Sequence, residues 1–291
     1  MERLISPKVT KQIIEKYGFK FSKSLGQNFL IDENILYKII NGAEVTNEDV
    51  VLEIGPGIGT LTQALAERAK KVAAIEIDKA LIPILKDTLS QFNNVEVVNG
   101  DVLKLDLLKL VREISSERAV KVIANLPYYV TTPIIMRFLE EKIPLTNMVV
   151  MIQKEVADRM QAKPGTKDYG ALSVAVQYYS EPKIIARVPR SVFIPQPNVE
   201  STVIKLDILK KTRVLVQNEK LMFDIIKAAF GKRRKTLLNA LASSTLGFEK
   251  ETIRQVLSRS GINEERRGET LTIEEFADLA DSFYNNKDCI I

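Results

Sequence analysis

The chain contains no histidine and a single cysteine, Cys289, among 291 residues. The first absence excludes a Ser-His-Asp triad, a Cys-His pair and any histidine metal site, and with them much of the hydrolase repertoire. The second excludes an intrachain disulfide and a cysteine metal cluster, and it fits a reducing compartment. Long apolar runs are also missing. No stretch approaches the roughly 20 residues of a membrane span, and residues 1–23 lack the apolar core of a signal peptide. The expectation is a cytoplasmic protein with no membrane partner and no metal.

What is present is ordinary for a globular protein: 45% hydrophobic and 27% charged residues in a length that suits one large core plus a smaller unit. The balance of 42 basic against 37 acidic residues gives a net charge of +5, which permits a polyanionic partner without requiring one. Where the charge sits matters more than its sum.

The stretch on which the rest of the chain bears is Asn125-Leu126-Pro127-Tyr128. It follows the apolar run 120–124 and precedes Thr132-Pro133, read as the cap and first residue of a helix. A strand ending in this way offers a side-chain amide oxygen from Asn125. Pro127 breaks the ladder and frees the Leu126 carbonyl. Both oxygens can accept from one exocyclic amine, and Tyr128 adds a face on which a planar base can stack. Taken alone, the four residues read rather as a polar strand end, a proline turn and a half-buried tyrosine, and the glycine-rich stretch upstream is what reverses that reading.

Upstream, Ser6-Pro7 starts a short helix that Gly18 can end, and Asp32 caps a second through Ile35, Leu36, Ile39 and Ile40. Lys8, Lys11, Lys16, Lys20 and Lys23 form either a solvated face or an RNA-contacting arm. Gln27-Asn28-Phe29-Leu30 by itself reads as a loop packing Phe29 and Leu30 onto the core.

The buried-strand pattern 50–54 leads into Gly55-Pro56-Gly57-Ile58-Gly59-Thr60 and a helix on Leu61, Ala64 and Leu65. Strand, glycine loop and helix describe a nucleotide-type site at the carboxyl end of a parallel sheet. A dinucleotide fingerprint would need glycine where Thr60 stands, and a P-loop would need Gly-Lys-Ser/Thr, so neither pattern fits. The form Glu-x-Gly-x-Gly-x-Gly from Glu53 to Gly59 resembles motif I of S-adenosylmethionine-dependent methyltransferases. Its glycines let backbone approach the amino-acid end of that cofactor. A ligand-free glycine turn is the alternative.

Further strands are expected at 72–75, 95–98, 120–124, 148–152, 183–188 and 202–206, which makes seven with 50–54. Glu76, about 20 residues beyond Gly55, is placed to accept from ribose hydroxyls, and Asp78 to cap the following helix. Asp101 in Asn99-Gly100-Asp101-Val102 is either a turn residue or an acceptor for the cofactor's adenine amine. The polar segment 162–168 reads as a mobile loop beside the substrate entrance or an inert surface loop. Phe193, stiffened by Pro195 and Pro197, either faces Tyr128 across the target base or packs into the core.

Beyond Leu206 the pattern turns helical, at 221–230, 236–241, 250–257 and 273–283, and the boundary falls near Leu209. Gly231-Lys232-Arg233-Arg234-Lys235 is the densest basic run, read as a phosphate-binding patch or a solvated turn.

Leu25 to Leu30, Glu53 to Gly59, Asn125 to Tyr128, Phe193 to Pro197 and Phe230 to Leu237 together carry a resemblance. The chain resembles the KsgA/RsmA family of small-subunit (16S) ribosomal RNA adenine N6,N6-dimethyltransferases over essentially its whole length, without departure at these positions. The resemblance implies a Rossmann-like α/β class I methyltransferase domain over 1–209 and a smaller helical RNA-binding domain over 210–291. It implies S-adenosyl-L-methionine as cofactor, held by Asn28, Leu30, Gly55, Glu76, Asp101 and Asn125. Gln27, Gly57, Ile77 and Val102 complete the expected contacts. Asn125, Leu126, Pro127 and Tyr128, with Phe193, would hold the target adenine, and Lys232, Arg233, Arg234 and Lys235 would hold RNA. The implied product is N6,N6-dimethyladenosine at two adjacent adenosines near the 3′ end of 16S rRNA, within the small subunit or its precursor, and the expected state is a monomer. An Erm-type 23S rRNA dimethyltransferase, an assembly factor whose methylation is secondary, and, more remotely, a DNA adenine methyltransferase are the rival readings.

Overall fold

A run as apolar as Val50–Ile54 is stable as a strand only where both of its faces are covered, which parallel sheets flanked by helices provide. The computed structural model shows this arrangement and describes residues 3–22, 24–116, 118–232 and 234–286. Lys23, Arg233 and Cys289 lie outside the described residues. The strands are β1 (Phe29–Leu30), β2 (Val50–Ile54), β3 (Lys71–Glu76), β4 (Val95–Asn99), β5 (Val120–Asn125), β6 (Leu145–Gln153), β7 (Ser180–Val188), β8 (Phe193–Ile194) and β9 (Ser201–Ile208). The seven longer ones form one sheet in the order β4-β3-β2-β5-β6-β9-β7, and β1 and β8 pair separately. Strands β2 to β6 run parallel and β9 returns antiparallel to β6.

Six helices accompany the parallel strands: α1 (Pro7–Lys16), α2 (Glu33–Ala43), α3 (Thr60–Ala66), α4 (Ile82–Thr88), α5 (Leu107–Ser115) and α6 (Thr131–Glu140). Asp32 caps α2 by accepting from the Ile35 N–H at 2.9 Å, as the sequence predicts. Two other expected starts shift. Helix α6 begins at Thr131, whose hydroxyl donates to the Pro127 carbonyl at 3.1 Å. Asp78 does not cap α4; its carboxylate accepts from the Ala80 N–H and the Gln27 amide, fixing the turn ahead of that helix.

The chain divides into two units, one of Met1–Ala157 with Pro182–Ile208 and one of Asp158–Glu181 with Leu209–Ile291. A single cut at 209/210 therefore misses an excursion. Helix α7 (Lys154–Met160) leads into the second unit, and α8 (Ala171–Tyr179) belongs there with α9 (Glu219–Gly231), α10 (Leu237–Ala242), α11 (Lys250–Arg259) and α12 (Ile273–Tyr284). Aromatic packing explains the assignment: Tyr178 and Tyr179 lie 5.4 and 5.9 Å, between ring centroids, from Phe223. The Tyr179 hydroxyl donates to Glu219 at 2.6 Å. The segment 162–168 lies in the same unit, with the Gly165 N–H bonded to the Glu269 carbonyl at 2.7 Å. Gly268 is required in this unit, since a Cβ there would meet the Ala229 carbonyl oxygen at 2.8 Å. Among the described residues no helix is long and apolar enough to cross a membrane.

Two buried lysines are paired within the sheet, Lys121 near the amino end of β5 and Lys205 midway along β9. Lys121 on β5 donates to the Glu44 carbonyl at 2.6 Å and to Asp49 at 2.9 Å. Lys205 on β9 pairs with Glu44 and Asp207. Burial pulls the Asp49 carboxyl up, but Lys121 and the Thr46 N–H and hydroxyl outweigh it and hold it below its ordinary value. Replacing one partner of such a pair leaves the other desolvated. Lys121→Met is expected to lower the unfolding free energy by roughly 3 kcal/mol in urea titration; a loss under about 0.5 kcal/mol would show that the pair contributes no more than a surface one.

Candidate active site

After β2 the chain builds β3 and β4 on one side, then places β5 on the other. Where strand order reverses, the loops leaving the two carboxyl ends diverge and open a crevice. The glycine loop leaves β2 there and Asn125-Leu126-Pro127-Tyr128 leaves β5. A cavity occupies the crevice, walled also by the loop 25–28, the end of β3 and the turn after β4.

The glycine loop turns through left-handed conformations at Gly55, Gly57 and Gly59, with φ of 70°, 61° and 95°. At Gly57 space enforces the same choice, because a Cβ would stand 3.0 Å from the Phe29 ring. Phe29 and Leu30 do pack onto the core, so that part of the local reading holds. The residues before them have another task. Asn28 donates its amide to the Gly26 carbonyl at 2.9 Å, and its own carbonyl accepts from Asn125 Nδ2 at 2.9 Å. This bond fixes which end of the Asn125 amide is spent and leaves Oδ1 as an acceptor. The Leu126 N–H bonds the Met151 carbonyl at 3.1 Å, and Pro127, with no N–H, ends the ladder there.

Gln27, Asn28, Leu30, Gly55, Gly57, Glu76, Ile77, Asp101, Val102 and Asn125 all line the cavity, as do Leu126, Pro127 and Tyr128. Gln27 is a brace as well as a wall: its Oε1 accepts from the Ser22 N–H and its Nε2 donates to Asp78, both at 2.7 Å. Asp101 makes the turn expected of it, accepting from the Leu103 N–H at 3.0 Å, and lines the cavity too. Glu76 accepts from the Asp78 N–H at 2.8 Å and the Gly57 N–H at 3.3 Å.

Phe193 is a correction. It is 2% exposed, pairs with Leu30 through the β1–β8 ladder, and joins the core around Ile39 and Val149 rather than facing Tyr128 across the cavity. A two-strand ladder outside the main sheet has no signature in local sequence. Tyr129 and Glu53, which the sequence motifs do not single out as site residues, also line the cavity. Tyr129, 56% exposed, was signalled by its place beside Tyr128, and Glu53 by being an acid inside a buried strand. Lys232, Arg234 and Lys235 follow α9 in the other unit and are exposed; Arg233 is outside the described residues.

The electrostatics select the ligand. Glu53, Glu76 and Asp101 are the charged residues lining the cavity, and no lysine or arginine is among the described ones there. Such a wall offers a pyrophosphate no cation, and its carboxyls ionise most readily beside a ligand of net positive charge, as S-adenosylmethionine is, with its sulfonium and ammonium groups. Burial lifts the Glu76 carboxyl to about 7, against the N–H groups of Asp78 and Gly57. Burial lifts Glu53 further, to about 8; the Thr62 hydroxyl opposes this and the neighbouring Glu76 adds to it. One Glu53 oxygen, Oε2, is buried with no hydrogen-bond partner among the described residues.

A seven-stranded sheet of this order, with an acidic cavity over a glycine loop at its switch point, defines a class I S-adenosylmethionine-dependent methyltransferase. The family model described as ribosomal RNA adenine dimethylase matches residues 18–283, and the chain belongs to that family. A relative from Alkaliphilus oremlandii named ribosomal RNA small subunit methyltransferase A is 67% identical over 282 residues, covering 97% of this chain and 98% of its own. The crystal structure of a dimethyladenosine transferase from Plasmodium falciparum superposes with a TM-score of 0.74 at 29% identity, over 86% of this chain and 95% of that one. The 23S rRNA methyltransferase ErmE superposes with a TM-score of 0.65 at 24% identity, over 87% and 98%, which is a likeness of fold alone.

Glu53 and Glu76 hold protons in the folded, ligand-free chain at pH values where the unfolded chain has released them. The stability they permit is complete below about pH 4.5 and is lost as pH rises through about 7 for Glu76 and about 8 for Glu53. Without ligand, the unfolding free energy is therefore expected to fall between pH 5 and pH 8, and Glu53→Gln to reduce that fall by about 1–2 kcal/mol. Urea titrations at several pH values measure it, and an identical slope in the variant would refute the assignment.

Proposed function

We propose that this enzyme transfers methyl groups from S-adenosyl-L-methionine to N6 of two adjacent adenosines near the 3′ end of 16S rRNA, giving N6,N6-dimethyladenosine during small-subunit biogenesis. The observation that carries the reading is the orientation of Asn125: its Nδ2 is committed to the Asn28 carbonyl at 2.9 Å, so Oδ1 is the free end, beside Leu126, Pro127 and Tyr128 on one cavity wall. Support for the small subunit over the 23S target comes from 67% identity, over nearly the full length, with a relative whose name carries that substrate.

The cofactor supplies a methyl group on a sulfonium sulfur, and the acidic wall with its close-approach glycines fits it. Gly55 and Gly57 would bring backbone to its amino-acid end, Glu76 would accept from the ribose, Asp101 would accept from the adenine amine, and Leu30, Ile77 and Val102 would supply apolar contact. The target amine is a poor nucleophile because its lone pair is delocalised into the ring. Asn125 Oδ1 and the Leu126 carbonyl accept its two hydrogens, which favours a pyramidal nitrogen with its lone pair directed into the cavity. Tyr128 replaces part of the stacking the base loses on leaving its helix. Positioning of this kind accounts for the rate without a strong base. N6 would gain the methyl as the sulfonium–methyl bond breaks and leaves a neutral thioether, so positive charge would pass to N6, whose proton would then depart to water.

In this reading the sheet unit performs the chemistry. The helical unit, with exposed Lys232, Arg234 and Lys235 after α9, contacts RNA phosphates, taking the place of the domain expected over 210–291. The enzyme works in the cytoplasm as a monomer. Labelled methyl transfer to unmethylated small subunits and to large-subunit rRNA, offered separately with nucleoside analysis, tests it. Dimethyladenosine in the small subunit alone is expected, and label in large-subunit RNA would overturn the assignment. Asn125→Ala is expected to slow transfer by about 100-fold or more, a larger loss than any it causes in cofactor affinity; near-normal turnover would remove Asn125 from this role.

A further inference from the structure

Tyr128 opens the short turn Tyr128–Val130, so the backbone fixes only one end of its side chain. A ring held at one end swings about two torsions, and a base stacked on it would swing with it. The far end is not free: the Tyr128 hydroxyl and Ser201 Oγ form a hydrogen bond of 2.7 Å. Burial holds the phenol above its ordinary value, against the Ser201 bond, so the hydroxyl keeps its proton near neutral pH.

Ser201 is a rigid anchor. It is 0% exposed, it starts β9 opposite Gln153 of β6, and the carbonyl of the preceding Glu200 accepts from the Lys154 N–H at 3.0 Å. The same strand β6 fixes the two acceptors, since Asn125 pairs with Met151 and the Leu126 N–H bonds the Met151 carbonyl at 3.1 Å. Met151 thus locates the hydrogen-bonding edge of the adenine site, and Gln153, two residues on, locates the stacking face through Ser201.

We propose that Ser201 is a positioning residue for methyl transfer, which by holding the Tyr128 hydroxyl sets the plane of the ring relative to Asn125 Oδ1 and the Leu126 carbonyl. The proposal rests on the adenine-binding reading given above. A nitrogen that must be presented with its lone pair in line tolerates little rotation of the base, and a misplacement near 1 Å costs up to about 100-fold. Loss of the tether broadens the ring's orientation without removing the ring, so the effect is smaller than loss of Tyr128 and falls on turnover.

The test is a double-mutant cycle of Ser201→Ala and Tyr128→Phe, with Ser201→Thr as the hydroxyl-retaining control and Tyr128→Ala as the reference. Single-turnover transfer to unmethylated small subunits, KM for the subunits and cofactor affinity are read for each, and rates are normalised to cofactor-binding stoichiometry to remove unfolded enzyme. Each single change is expected to lower kcat about 5- to 20-fold with KM and cofactor affinity within about twofold, the double to be no slower than either single, and Ser201→Thr to recover most of the rate. Multiplicative effects in the double variant, or a normal kcat in Tyr128→Phe, would overturn the tether. If Tyr128→Ala itself transfers normally, the stacking role of Tyr128 fails and the tether with it. If Tyr128→Ala is crippled while Ser201→Ala and Tyr128→Phe are normal, the tether alone fails.

Discussion

The structure depends on one constraint: parallel strands buried on both faces must end together, and their order must reverse somewhere for the chain to cover both halves of the sheet. The reversal falls between β2 and β5. Apart from Lys121, which is paired near the amino end of β5, each of these strands is apolar until its carboxyl end, where the ladder stops. Glycine loop and Asn-Leu-Pro-Tyr turn are found there for that reason. The sheet brings together residues about 70 positions apart in the chain without either segment having to recognise the other.

Once the crevice is set, its chemistry follows from desolvation. Glu53 and Glu76 are placed where ionisation is costly in the empty site, and no cationic side chain relieves them among the described lining residues. Folding thereby stores an electrostatic preference that a positively charged ligand satisfies. Elsewhere in the sheet the opposite solution is used: Lys121 on β5 and Lys205 on β9 are buried with carboxylates in direct contact. Those charges are neutralised internally, and the carboxyls of the crevice are left for a ligand to neutralise.

The second unit is organised differently, by aromatic contacts and helix caps. Tyr178, Tyr179 and Phe223 pack together, and α12 starts with a reciprocal cap in which Thr272 and Glu275 satisfy each other's backbone N–H groups. Its basic turn after α9 carries charge on an exposed segment that the helices do not need for their packing.

The sequence by itself determined the elements whose physics is local. Alternation and apolar runs marked seven strands, Asp32 marked a helix start, and the glycine spacing from Gly55 to Gly59 excluded a dinucleotide site. Absent histidine closed off whole classes of chemistry. Asn125, Glu76 and Asp101 were legible because each stands at the end of a strand, where position along the chain already implies position in a crevice. Only the tertiary structure decided what depends on distant partners. Phe193 went to the core because a two-residue ladder with Leu30 turned it there. Residues 158–181 joined the helical unit because Tyr178 and Tyr179 met Phe223. Asp78 was drawn to Gln27, and Ser201 met the Tyr128 hydroxyl. These outcomes turn on contacts between residues 44 to 163 positions apart, where short-range periodicity carries no information and the competition among packing partners settles the result.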